Sequence, residues 1–141
     1  MKQYLTPLHF SISVKDIDES IAWYKEHLHF DLVFKMHIEA SNAYLAFVRH
    51  GQFEIELLQY DGSTSNTFEH INSQEDQKTR GAKHLAFLVE NVDDLHNRLK
   101  SENVEISLEP VVRENKEAGV REKIFFIRDL DNVRLEFVER L

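Results

Sequence analysis

One stretch of this chain occurs twice. His9-Phe10-Ser11-Ile12-Ser13-Val14, followed two residues later by Ile17-Asp18, returns as His84-Leu85-Ala86-Phe87-Leu88-Val89, followed two residues later by Val92-Asp93. A chain of 141 residues therefore holds two tandem copies of one unit. Half a chain of this size is too small to build a comfortable core by itself, so the copies are expected to share a core or to dimerise. Each copy opens on a strand carrying a histidine and closes on one carrying a glutamate, in Phe53-Glu54-Ile55-Glu56-Leu57-Leu58 and Val133-Arg134-Leu135-Glu136-Phe137-Val138. Two histidines and two glutamates in a repeated frame suggest a metal site.

Alternation over positions 8 to 14 puts Phe10, Ile12 and Val14 on one face of a strand and His9, Ser11 and Ser13 on the other. Asp16 or Asp18 can cap the helix that follows, in which Ile17, Ile21, Trp23, Tyr24 and Leu28 supply an apolar stripe. That helix is expected to cover the apolar face. Strands follow at about 31 to 38, 43 to 49 and 52 to 60, the last two joined by a turn at His50-Gly51. The second copy runs from a strand at 83 to 89, through a helix at 92 to 101, to strands near 104 to 112, 122 to 128 and 133 to 139. Asp129 to Asn132 makes its final turn.

The expected fold is α+β, two tandem βαβββ modules at about 5 to 60 and 82 to 141, within a single domain spanning 1 to 141. A polar linker at about 61 to 81 joins them, with Phe68 and Ile71 as its main apolar anchors and room for a short helix from about 64 to 72.

The absence of cysteine excludes disulfides, thiolate zinc sites and a cysteine nucleophile together, so any metal must sit on nitrogen and oxygen. A net charge of −8 argues against nucleic acid or an anionic membrane as partner, because both need a basic surface. No apolar run approaches the roughly 20 residues of a membrane helix, and the N-terminus lacks the apolar region of a signal peptide. A cytoplasmic location is expected. Arg113, Lys116, Arg121 and Lys123 gather locally, either as a solvated strand edge or as a mouth that attracts an anionic substrate.

Strand parity selects the chemistry. Phe53, Ile55 and Leu57 point one way, so Glu54 and Glu56 point the other; Leu135 and Phe137 likewise oppose Glu136, and Leu85 and Phe87 oppose His84. If the two sheets curve into a common cleft, His9, Glu56, His84 and Glu136 converge there. Two neutral imidazoles and two carboxylates suit one divalent ion, nickel, cobalt, zinc, manganese or iron, and leave up to two octahedral positions open. Glu54 competes with Glu56 from the same face, but Ile55-Glu56-Leu57 better matches Leu135-Glu136-Phe137. His27, His29, His37, His50, His70 and His96 have no such frame and read as surface residues. Trp23, Tyr44, Phe47 and Phe68 line a cleft or, more in keeping with ordinary burial, fill the core.

In His9 through Trp23-Tyr24 and Leu28, in Glu56-Leu57-Leu58, in Gly81-Ala82-Lys83-His84-Leu85-Ala86-Phe87 and in Arg128-Asp129-Leu130-Asp131-Asn132-Val133-Arg134-Leu135-Glu136, the chain resembles the vicinal oxygen chelate superfamily. That group includes glyoxalase I, methylmalonyl-CoA epimerase, extradiol dioxygenases and the fosfomycin and bleomycin resistance proteins. The resemblance implies paired glyoxalase-type modules forming a curved mixed sheet around a metal-binding cleft, with the ion on the residues matching His9, Glu56, His84 and Glu136. Four ligands are the pattern of glyoxalase I and the epimerase. The activity implied is a glyoxalase I-like lyase or isomerase that removes a proton next to a carbonyl while the metal stabilises the enediolate, with Glu136 first and Glu56 second as the base. Glu39 is a weaker candidate. A small carbonyl or thioester substrate and a homodimer are implied with it, and the family pairs its modules both within and between chains. The alternatives are an epimerase-like enzyme and a bleomycin-resistance-like binding protein without catalysis. Departures from the pattern are His29 where glyoxalase-like sequences have glycine, Lys83 where the epimerase has the first of two histidines, and Leu130 and Asn132 in the Asp-Pro-Asp-Gly turn.

Overall fold

The alternating residues of the first repeat build four strands and a helix, in the order β1 (His9–Ser13), α1 (Ile17–Leu28), β2 (Asp31–Ile38), β3 (Ala43–His50) and β4 (Phe53–Tyr60). A single 3-10 turn, Glu39–Ser41, links β2 to β3. The computed structural model describes residues 5–65, 77, 78 and 80–141. It divides into two units, Met1–Ser65 and Asn66–Leu141, each holding one repeat.

In the first unit the sheet order is β1-β4-β3-β2, with β1 parallel to β4 and the other neighbours antiparallel. Ile12, Val14, Ala46, Val48, Ile55 and Leu57 are buried with Ile17, Tyr24 and Leu28 of α1, so the helix covers the apolar face. Asp16, not Asp18, is the cap: its Oδ1 accepts from the amides of Asp18 and Glu19. A third orphan amide, that of Ile17, donates to Gln59 Oε1 of β4 at 2.7 Å, which pins the helix start to the strand carrying Glu56. His29 closes the helix in the left-handed region, at a φ of 57°.

The second unit repeats the plan with β5 (Leu85–Leu88), α2 (Val92–Ser101), β6 (Ile106–Asn115), β7 (Val120–Arg128) and β8 (Arg134–Arg140), in the order β5-β8-β7-β6. Again the outer pair β5 and β8 is parallel. Phe87, Phe125 and Phe137 stack on the helix side with centroids 5.7 and 5.0 Å apart. Asn91 caps α2, and Glu139 Oε2 accepts from the Val92 amide at 2.8 Å, the counterpart of Gln59 and Ile17. The turn into β8 is held by Asp129, whose Oδ1 accepts from the amides of Asp131 and Val133.

Two expectations are corrected. His27 and His96 are buried, not superficial. His27 lies against the Trp23 ring, and His96 lies edge-on to Phe125 with Nε2 2.7 Å from Glu109 Oε2, an ion-pair contact outside hydrogen-bond alignment. The β6–β7 hairpin also reaches further than its apolar pattern, because opposite charges face each other at Arg113/Glu122 and Glu114/Arg121. Phe68, His70, Ile71 and most of the expected linker helix lie outside the described residues. Among the described residues no helix is long and apolar enough to cross a membrane.

Candidate metal centre

In the first module, the parallel pairing of β1 with β4 sets Ser11 opposite Glu56. Alternation turns His9 and Glu56 away from α1, and the His9 Nε2 lies 3.7 Å from Glu56 Oε2. Phe47, the Glu56 partner on β3, packs T-shaped against the imidazole, with centroids 5.2 Å apart and planes at 89°. Phe47 in turn stacks on Phe34 of β2. The competing carboxylate is already engaged: Glu54 Oε1 accepts from Arg49 Nε at 2.8 Å and Nη2 at 2.5 Å. Glu56 is thus the carboxylate that meets the histidine.

The second module builds the same arrangement from its own residues. Ala86 stands opposite Glu136 in the β5–β8 ladder, and His84, one residue ahead of β5, continues its alternation. The His84 Nε2 lies 3.0 Å from Glu136 Oε2. Phe126, the Glu136 partner on β7, packs T-shaped against His84, with centroids 5.3 Å apart and planes at 89°. Each module therefore carries a histidine, a phenylalanine and a glutamate in one frame. The sequence reading named Phe47 as a cleft or core aromatic and missed Phe126, since only the hairpin registers place the two beside the glutamates. Those registers follow from the turns at His50-Gly51 and at Asp129 to Asn132.

The two pairs differ in their electrostatics. The Glu136 side chain is 7% exposed and that of Glu56 19%. Arg113 Nη2 donates to Glu136 Oε1 at 2.5 Å and lies 3.6 Å from Glu122 Oε1. Among the described residues, the recorded ion-pair partner of Glu56 is His9 alone. The basic cluster of the sequence does not stay together. Lys123 pairs with Asp93 of α2, on the face of β7 away from Arg113, while Lys116 and Arg121 are exposed.

Other candidates stand apart from the pairs. Glu39 sits in the turn after β2, the edge strand furthest from β1. Tyr44 packs with His37 and Lys35, and Trp23 with Tyr24 and His27, so of the described aromatics singled out from sequence Phe47 alone shares the histidine face.

The donor types suit a divalent ion, and the second pair has the spacing of two ligands on one ion while the first is somewhat wider. Two ligands on one ion at a right angle and about 2.1 Å sit about 3.0 Å apart, and about 3.4 Å apart at a tetrahedral angle. The pairs span 3.0 and 3.7 Å, each offering one imidazole nitrogen and one carboxylate oxygen. Among the described residues no group of three or more His, Asp or Glu side chains is drawn together, so the four expected ligands stand as two pairs.

The family model described as Glyoxalase/Bleomycin resistance protein/Dioxygenase superfamily matches residues 6–137. No curated protein matches the chain. Among solved structures it is similar to a glyoxalase family protein from Enterococcus faecalis, with a TM-score of 0.74 and 24% identity over 95% of this chain and 97% of that one. A glyoxalase family protein from Bacillus cereus gives a TM-score of 0.75 and 20% identity over 99% and 97% of the two chains. The trypanothione-dependent glyoxalase I of Leishmania major gives 0.69 and 24% over 96% and 87%. At these identities the likeness is one of fold.

Proposed function

The chain belongs to the Glyoxalase/Bleomycin resistance protein/Dioxygenase superfamily, and from that premise we propose that it is a divalent-metal-dependent, glyoxalase I-like lyase or isomerase. The observation that carries the reading is the repeated pair, His9 with Glu56 and His84 with Glu136, each braced by a phenylalanine. The two pairs would face one cleft and hold one ion, with the modules joined either within a chain or across a homodimer. When bound, the ion supplies positive charge beside an oxygen that becomes anionic as the neighbouring carbon loses its proton.

The remaining chemistry belongs to side chains. Glu136 is the base: its Oε1 is held by Arg113, so Oε2 is the atom that takes the proton from one carbon and returns it to the next, with no net loss of atoms. Its burial keeps water from exchanging with that proton. Glu56, more exposed, is the second choice. Phe47 and Phe126 fix the imidazole planes, so each Nε2 faces its carboxylate. The substrate class is the hemithioacetal of a 2-oxoaldehyde and a small thiol.

The test is turnover of methylglyoxal with glutathione or trypanothione by metal-stripped protein reconstituted in turn with nickel, cobalt, zinc, manganese and iron. Metal-dependent thioester formation, falling about 100-fold or more in Glu136→Gln, is the expected result. Metal bound without turnover would point instead to acyl-CoA epimerisation by the same residues.

A further inference from the structure

Among the described residues Glu136 has two ion-pair partners, His84 and Arg113, where Glu56 has His9. Its carboxylate is nearly closed off from solvent, and a buried carboxylate is stable only when its charge is matched. Arg113 matches it through Oε1 alone, which leaves Oε2 facing His84. The arginine side chain is itself 52% exposed, and Glu122, 3.6 Å away, offers the guanidinium a second seat on the same sheet face. We infer that Arg113 is a positioning residue that holds Glu136 whenever this carboxylate is off the cation, and that it thereby weakens cation binding at the second pair. The inference rests on the metal site of the proposed function and adds a role for Arg113 to it. Among the described residues, Glu136 has a guanidinium within hydrogen-bond reach and Glu56 does not.

The physical reason is competition between charges. A carboxylate that leaves a divalent ion inside a low-dielectric wall needs a replacement charge within hydrogen-bond reach, otherwise leaving is prohibitive. The guanidinium supplies that charge without Glu136 moving out of its buried position. The same positive charge opposes an incoming cation and occupies an oxygen that could ligate it.

Cobalt titration of metal-stripped full-length protein, followed by calorimetry and by visible absorption, reads this without any turnover. Arg113→Gln is expected to bind cobalt about tenfold more tightly than wild type, the effect of a half-solvated unit charge a few ångström from a divalent ion. Arg113→Lys, which keeps the charge, should stay near wild type. Glu122→Gln, which leaves the guanidinium to Glu136 alone, should bind more weakly. Arg121→Gln, exposed and on the opposite side of β7, should change nothing. Unchanged or weaker binding in Arg113→Gln overturns the inference while wild-type binding that His84→Ala abolishes leaves the metal site standing. If Arg113→Gln does not fold, Glu122→Gln decides, and unchanged or tighter binding there overturns it equally. Absence of specific cobalt binding in the wild type removes both the metal site and the role of Arg113.

Discussion

Phe126 meets the His84 imidazole edge-on at 5.3 Å, and Phe47 meets His9 in the same way at 5.2 Å. Each phenylalanine is also the cross-strand neighbour of the glutamate that its histidine faces. The ring therefore helps to hold each imidazole with its Nε2 toward the carboxylate.

Replacing Phe126 with leucine should accordingly harm binding more than stability. Loss of shape complementarity is expected to destabilise the protein by about 1 kcal/mol, read as the shift of a urea unfolding midpoint. Cobalt affinity should fall about tenfold, the usual effect of loosening a ligand's support. Phe47→Leu should match it in affinity with a smaller stability loss, since Phe47 is less buried. A wild-type cobalt titration for either variant would remove the bracing role.

His29 closes α1 with a φ of 57°, a conformation that costs a residue with a Cβ about 1 kcal/mol. The carbonyl that accepts from His50 Nδ1 is backbone, so glycine keeps that contact. His29→Gly should therefore raise the melting temperature by a few degrees, corresponding to somewhat less than 1 kcal/mol after the added chain entropy. A lower melting temperature would mean that the imidazole itself contributes to folding.

Gln59 and Glu139 fasten the first turn of each helix to the strands that bear Glu56 and Glu136. Gln59→Leu should cost about 1 kcal/mol and Glu139→Leu about 2 kcal/mol, because the second loses a charge-assisted hydrogen bond. Hydrogen exchange at the Ile17 and Val92 amides should accelerate in the corresponding variant, and unchanged exchange would contradict the role.

Much of this was legible in the sequence. The helix at 92 to 101 and the strand at 31 to 38 coincide with the structure. The four candidate ligands were legible because the repeat and strand parity select the same residues. Arg113 was not, since its approach to Glu136 depends on a sheet register with irregularities between Ile106 and Val111. His96 lies on the same helical stripe as Val92 and Leu99, a signal that was present. Reading it requires treating imidazole as a flat apolar ring that packs on Phe125, rather than as a polar side chain.

Glu109 gives a pH dependence of known sign. Its hydrogen bond from Lys100 holds its carboxyl below the ordinary 4.5, against a desolvation that raises it and with further lowering by the Lys100 charge and by His96. The folded-state value is the lower one, so this contribution is fully present above about 4.5 and is lost as pH falls through the folded value. Glu109→Gln should flatten that acid limb of the melting temperature against pH. An unaltered limb would place the acid sensitivity elsewhere.

The most direct test of the central claim is the metal content of chelator-stripped, reconstituted protein, comparing wild type with His84→Ala and Glu56→Gln, one substitution in each module. One ion per chain in the wild type, lost or sharply reduced in both variants, is the predicted result, because each pair supplies half of one site. Full metal content in either variant, or none in the wild type, would contradict a single centre built from His9, Glu56, His84 and Glu136.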